Sequence, residues 1–227
     1  MRKRTPRGML SRHTVMDAAL TLADTSGFHG VTIRALAAQV GVPPMTLYAH
    51  FSNKERLLDG MFERALSRLF PIRSGLTWQE ELTAGSKHAR LLLLEHPHWL
   101  PLLTRITVPI STLEFFDGLM KRMLRHGGKA GALHAYSSVM SFTLGFVLVE
   151  RMMAGHGAVP VPIQRLKLLR SMLPDLPKET YEGIVRVAPQ FDAWSFNEVF
   201  DLGLRSLVAG IETNCFHRRP RRLGAHA

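Results

Sequence analysis

Residues 32–54, TIRALAAQVGVPPMTLYAHFSNK, constrain the fold of this chain more than any other stretch. Thr32 can cap a helix, and Val31 and Leu36 stand where a hydrophobic staple forms across its first turn. Leu36, Ala37 and Val40 recur at helical spacing and predict one buried face. Gly41 comes directly after, where a helix end commonly needs a left-handed residue, and Val42 can plug the angle beyond it. Pro43 and Pro44 preset the backbone for a new first turn. A helix of barely two turns is expected over 44–50, with Leu47 and Phe51 turned inward. Thr46, Tyr48, Ala49 and His50 are then left on its other faces. Asn53 caps the next helix, and Lys54 opens it.

A helix that short is marginal in isolation, so its neighbours must hold it. Held out from a rigid support, it fits a DNA major groove about 12 Å wide. The stretch therefore reads as a helix-turn-helix, with 32–40 as the support and 44–50 as the reader.

The surrounding segments are helical too. Ser11 caps a helix over 11–25, with Thr14 and Asp17 as an alternative capping box. Val15, Ala18, Ala19 and Leu22 form its predicted apolar stripe, and Gly27 and Gly30 punctuate the connection to the support helix. A fourth helix over 54–70 buries Leu57, Leu58, Met61, Phe62, Ala65 and Leu69. It touches the reader at one end and the rest of the protein at the other, which makes it the expected lever. The break at 71–75 sets the domain boundary: 1–71 for DNA binding, 72–215 for a second helical domain, 216–227 for a basic, disordered tail.

Thr77 caps a helix to Glu95 that carries Leu82, Ala89, Leu92 and Leu93. Pro97 and Pro101 bound a short broken helix through Trp99. An amphipathic helix over 111–125 presents Leu113, Phe116, Leu119, Met120 and Met123. A turn is expected at 126–128, then a long helix over 129–154 and a loop over 155–162. Pro174 and Pro177 interrupt the segment to 190, and Asp192 is read as the cap of a final helix to about 213. With no alternating strand pattern and no repeat, the fold class is all-α: a three-helix helix-turn-helix domain, then a second helical domain.

Charge is concentrated at the ends. The chain carries +11, but residues 1–12 hold five Arg or Lys and no acid, and 216–227 hold four Arg and no acid. Without those nine, 20 bases face 18 acids. The N-terminal arm leads into the reader and suits phosphate contact; both ends also read as solvated tails. The single Cys215 excludes an intrachain disulfide framework and fits a reducing cytoplasm. Residues 130–149 lack formal charge and are long enough to span a bilayer. Their polar and small residues favour instead a helix buried between other helices, so no membrane partner is expected.

The motifs TIRALAAQVGV and TLYAHFSNKERLL, preceded by AALTLADTSGFHGVT, resemble the tetracycline repressor (TetR) family of bacterial transcription regulators. WQEEL (78–82), FTLG (142–145) and FDLGLRSLVAGIE (200–212) extend the resemblance over nearly the whole chain. It implies a ligand-responsive homodimer on a palindromic operator in double-stranded DNA, most often a repressor, with a C-terminal helical ligand-binding and dimerisation domain whose two longest helices pair in a four-helix interface. The helices over 129–154 and 193–213 suit this, being apolar on more than one face. By family position Tyr48 and Lys54 hold phosphates, while Arg34 and Thr46 reach bases. Thr32, Pro44, Met45, Ala49 and His50 complete the candidate DNA-binding set. The reader departs from the family: Pro43 replaces the usual capping Ser or Thr, and Pro44 has no N–H to offer a phosphate. Met45 can pack on a thymine methyl or simply be exposed.

The middle helices mix Met and aromatic residues with scattered polar groups, which suits a mostly apolar pocket for a small-molecule effector. His88, Trp99, Arg105, Phe116, Met120, His134 and Met140 are its candidate lining, each equally readable as core. The positions matching the family's tetracycline–magnesium contacts hold Phe70, Gly85, Ala89 and Leu103, none with that chemistry. Val149 stands where an acid is expected, with Glu150 next door. A different, more apolar effector is expected, with no cofactor and no metal. His96-Pro97-His98 lacks the spacing of a helical zinc site, and no G-x-S-x-G or phosphate-cradling glycine loop points to an enzyme. The alternative is an all-α ligand-binding or interaction protein whose N-terminal unit is only structural.

Overall fold

The computed structural model describes residues 11–71, 75–105, 110–125, 129–154 and 160–216. Among them lie ten α-helices joined by short 3-10 and π segments, and no strand. The expected turn at 126–128, the loop over 155–159 and the basic ends at 1–10 and 217–227 lie outside the described residues.

α1 (Arg12–Gly30) starts at Ser11, whose hydroxyl accepts the Thr14 N–H at 3.1 Å. It runs past the expected stop at residue 25 and bends at Gly27, where φ 71° and ψ 165° demand a residue without Cβ. Its buried line is Val15, Met16, Ala19, Leu20 and Ala23, while Ala18 and Leu22, expected inside, are only half-buried. The reason is tertiary. α1 meets the helices over 33–40 and 54–69 and a 3-10 segment over 97–104 at once, which turns its inner face toward Met16 and Leu20.

α2 (Ile33–Val40) begins with the Thr32 hydroxyl accepting the Ala35 N–H at 3.1 Å. It ends at Gly41, whose φ of 76° lets its N–H reach the Ala37 carbonyl. α4 (Lys54–Leu69) is capped by Asn53, which accepts the Arg56 N–H at 2.9 Å. All six residues expected inside α4 are buried. At Gly60 the helix passes so close to α1 that an added Cβ would lie 2.7 Å from Met16 Sδ.

A capping box opens α5 (Trp78–Glu95). Thr77 accepts the Glu80 N–H, and the Glu80 carboxylate accepts the Thr77 N–H at 2.9 Å. That backbone bond, with one from the Thr77 hydroxyl, holds the Glu80 carboxyl below its ordinary pKa. A 3-10 segment (Pro97–Thr104) and α6 (Ile110–Leu124) come next. Trp78, Leu82, Ala89, Leu93, Trp99, Leu102, Leu119 and Met123 are buried here. Leu113, expected inside, is exposed, and Leu92 is half-buried. α1 to α6 lie in one compact unit, residues 1–126, and the remaining helices in a second, 127–227.

The second unit holds α7 (Lys129–Ala154), α8 (Val161–Met172), α9 (Glu182–Val187) and α10 (Phe196–Ile211), which ends in a π turn, Glu212–Phe216. α8 begins inside the segment expected to be loop. The cap of α10 is Ser195, which accepts the Glu198 N–H at 3.2 Å, and not Asp192. Asp192 instead pairs with Arg170 of α8. α7 packs on α10, and their buried residues are Ala132, Ala135, Val139, Thr143 and Val147 on one, Phe200, Leu204, Val208 and Ile211 on the other. The Phe142 ring lies over Gly203, where an added Cβ would stand 2.7 Å from Cζ. α7, expected to be buried between other helices, is covered by its own chain on one side only. Leu133, Leu148, Val149 and Met152 face outward, as do Val199 and Leu202 of α10. α7 is long and apolar enough to cross a membrane by length and composition; that apolarity serves two helix faces, one of them uncovered in the single chain.

Candidate nucleic-acid interface

The reader, α3 (Pro44–Tyr48), is two residues shorter than the sequence suggests. The N–H groups of His50 and Phe51 both turn back to the Leu47 carbonyl at 2.9 Å, which closes the helix and draws Phe51 into the core. Leu47 is fully buried and Phe51 is 1% exposed; these two side chains anchor the element. The guanidinium of Arg12 stands 5.8 Å over the Phe51 ring and 3.9 Å from the Glu63 carboxylate. The support helix is tied down separately, by Gln39 Nε2 donating to the Ala18 carbonyl at 3.0 Å. No sequence motif announces these positioning contacts, because partners 21 to 51 residues apart leave no trace in a local pattern.

All nine candidate DNA-binding residues, Thr32, Arg34, Pro44, Met45, Thr46, Tyr48, Ala49, His50 and Lys54, are exposed. The Thr32 hydroxyl is already engaged as the α2 cap. No side chain caps α3, and the Thr46 N–H is taken by the Pro43 carbonyl at 2.9 Å. Lys54 opens α4 and is followed directly by Glu55, an acid that would repel a phosphate at the same place. Arg105 offsets it. One guanidinium nitrogen donates to Glu55 at 2.9 Å and to Asp59 at 2.7 Å, and the hydrogen bond to Glu55 leads the causes that raise the arginine's pKa. Arg34, His50 and Lys54 are exposed, and among the described residues no ion pair is shown for any of them.

The seven candidate ligand residues are dispersed. His88 Nε2 donates to the Arg68 carbonyl at 2.8 Å. Trp99 is buried, stacked on His96 at 4.3 Å, with the Arg68 guanidinium 4.8 Å from its ring. His96 Nδ1 in turn lies 2.8 Å from Asp24 of α1. Arg105 is committed to the two acids of α4. Phe116 and Met120 are half-buried on α6. In the second unit, Met140 is half-buried and His134 exposed on α7. None of the seven lines the cleft of about 260 Å³ between α1 and α4, nor that of about 230 Å³ between the start of α5 and the end of α6. Among the described residues no group of three or more His, Cys, Asp or Glu is placed to hold a metal ion.

Residues 15–61 match the family model of bacterial regulatory proteins of the tetR family, and residues 70–215 match that of the tetracyclin repressor-like C-terminal domain. The chain is 29% identical over 208 residues to the tetracycline repressor protein class D of Escherichia coli, covering 89% of each chain. It also resembles the crystal structure of a possible TetR family transcriptional regulator from Streptomyces coelicolor. The identity there is 27% and the TM-score 0.62, over 89% of this chain and 99% of that one. The fold of the Streptomyces coelicolor protein ActR, solved in complex with actinorhodin, matches over 92% of this chain and 99% of that one, at 20% identity and a TM-score of 0.68.

Proposed function

Because the chain belongs to the tetR family of bacterial regulatory proteins, we propose that it is a cytoplasmic transcriptional repressor, a homodimer on a palindromic operator released by a small, largely apolar effector. The observation that carries this reading is the reader itself: Leu47 and Phe51 are buried, and every other candidate side chain along it is left to solvent. Tyr48 and Lys54 hold phosphates, which positions the helix, and Arg34 and Thr46 reach base edges, which specifies sequence. The DNA-binding domain ends near residue 71, with α4 serving both halves. The outward faces of α7 and α10 pair with a second copy. A two-fold dimer sets its reader helices about 34–36 Å apart, one turn of DNA.

The effector occupies the C-terminal domain and favours a state in which the readers are wrongly spaced, so operator affinity falls by its differential binding. Tetracycline–magnesium is a poor match. Ala89 is buried, and Phe70 stacks on Phe115 at 5.7 Å, apolar groups where that complex needs polar or metal-binding ones.

Mobility shift on DNA flanking the coding region, titrated with salt, tests the reading. Wild type is expected to bind with strong salt dependence. Lys54→Ala weakens binding on every sequence and reduces the salt slope by about one; Tyr48→Ala weakens it uniformly too. An intact dimer that shifts no DNA, or shifts it regardless of salt, would favour a ligand-binding protein whose N-terminal unit is only structural.

A further inference from the structure

The reader helix is poor in the groups that usually read bases. Its entrance carries Pro43 and Pro44, which have no N–H, and a further backbone donor is lost when the Thr46 N–H bonds to the Pro43 carbonyl. Met45, Tyr48 and Ala49 share one outward face at i, i+3 and i+4. Two of those three have no polar side-chain group at all. Met45 is 75% exposed, the second most exposed of the large apolar side chains in the described residues, although Leu47 two positions on is fully buried. The helix is thus rigidly seated while its most prominent side chain is flexible, apolar and uncovered.

A major groove has one apolar feature for such a side chain, the C5-methyl of thymine. Met carries three rotatable bonds and a polarizable thioether, which lets it follow a methyl group without exact placement. We propose that Met45 is a specificity-determining residue that reads a thymine in each operator half-site by apolar contact with its methyl group. The inference rests on the proposed DNA-binding function and adds to it the base and the chemistry. Pro44 helps by leaving no amide at the reader entrance to be desolvated. Thr46, Tyr48 and His50 flank the contact and supply the polar part of the interface.

The test needs the full-length protein and a duplex it selects from a random-sequence library. In that duplex each thymidine is replaced in turn by deoxyuridine, which removes only the methyl group. Wild type should lose affinity about fourfold at one position per half-site, as one buried methyl implies. Exchanging both symmetry-related thymidines should cost roughly fifteenfold. Met45→Ala should bind the parent duplex more weakly, with an unchanged salt slope and no uridine penalty. Met45→Leu should keep that penalty. The inference is overturned if no thymidine is sensitive, if the selected half-site has no thymine under the reader, or if Met45→Ala keeps the penalty. In those cases binding persists and the proposed function stands. If no duplex is selected at all, that function fails and the inference with it.

Discussion

Asp17 on α1 and Arg64 on α4 meet in a two-pronged ion pair, Nε to one carboxylate oxygen at 2.7 Å and Nη2 to the other at 2.9 Å. The hydrogen bond from Arg64 is the main cause that lowers the Asp17 pKa, and desolvation opposes it. A carboxyl whose folded pKa is depressed adds stability above its unfolded pKa and loses it as pH falls through the folded value. The side chains are 44% and 30% exposed, so solvent screens the pair, and its worth is about 1 kcal/mol or less. Asp17→Asn should therefore melt slightly below wild type at pH 7. That gap should close as pH drops below about 4, where wild-type Asp17 takes up its proton. A thermal melt series in pH checks it; a gap that persists at pH 2 would mean the contact matters for packing and not for charge.

At the scale of elements, the helix starts show what a sequence reveals. Ser11, Thr32, Asn53 and Thr77 are legible because each cap bonds an amide three residues on, a purely local arrangement. The start of α10 is not, because Asp192 has the right chemistry but is claimed by Arg170, 22 residues away, and Ser195 takes the role. The inner face of α1 and the exposed Leu113 escape detection for a related reason: periodicity finds an apolar stripe but not which neighbour covers it. The reader's anchors are legible, since Leu47 and Phe51 are one helical turn apart. The contact from Arg12 to the Phe51 ring, 39 residues away, is not. Nor is the close passage of α7 and α10. Phe142 stacks on Phe200 at 5.5 Å and lies over Gly203, so Gly203→Ala should force the ring aside and cost roughly 1–3 kcal/mol in denaturant unfolding. A neutral or stabilising result would mean that the ring moves freely.

At the scale of the molecule, the two longest helices of the second unit leave large apolar side chains in water: Leu133, Leu148, Val149 and Met152 on α7, Leu202 on α10. Such patches mark association surfaces. Leu202 is 60% exposed, so Leu202→Glu should leave the helical content of the chain intact. It should also shift sedimentation toward the monomer and abolish binding to a two-half-site duplex, whereas an unchanged dimer would place the interface elsewhere. Within the first unit, the 3-10 segment at Pro97–Thr104 is fastened to the DNA-binding helices at both its ends. His96, just before it, holds Asp24 of α1, and Arg105, just after it, holds Glu55 and Asp59 of α4. One short strut is thereby pinned to both walls behind the reader, and the anchor Phe51 rests against both, near Arg12 of α1 and Gly60 of α4. A push on the strut is therefore expected to move both walls together, and with them the Phe51 anchor, as on a yoke.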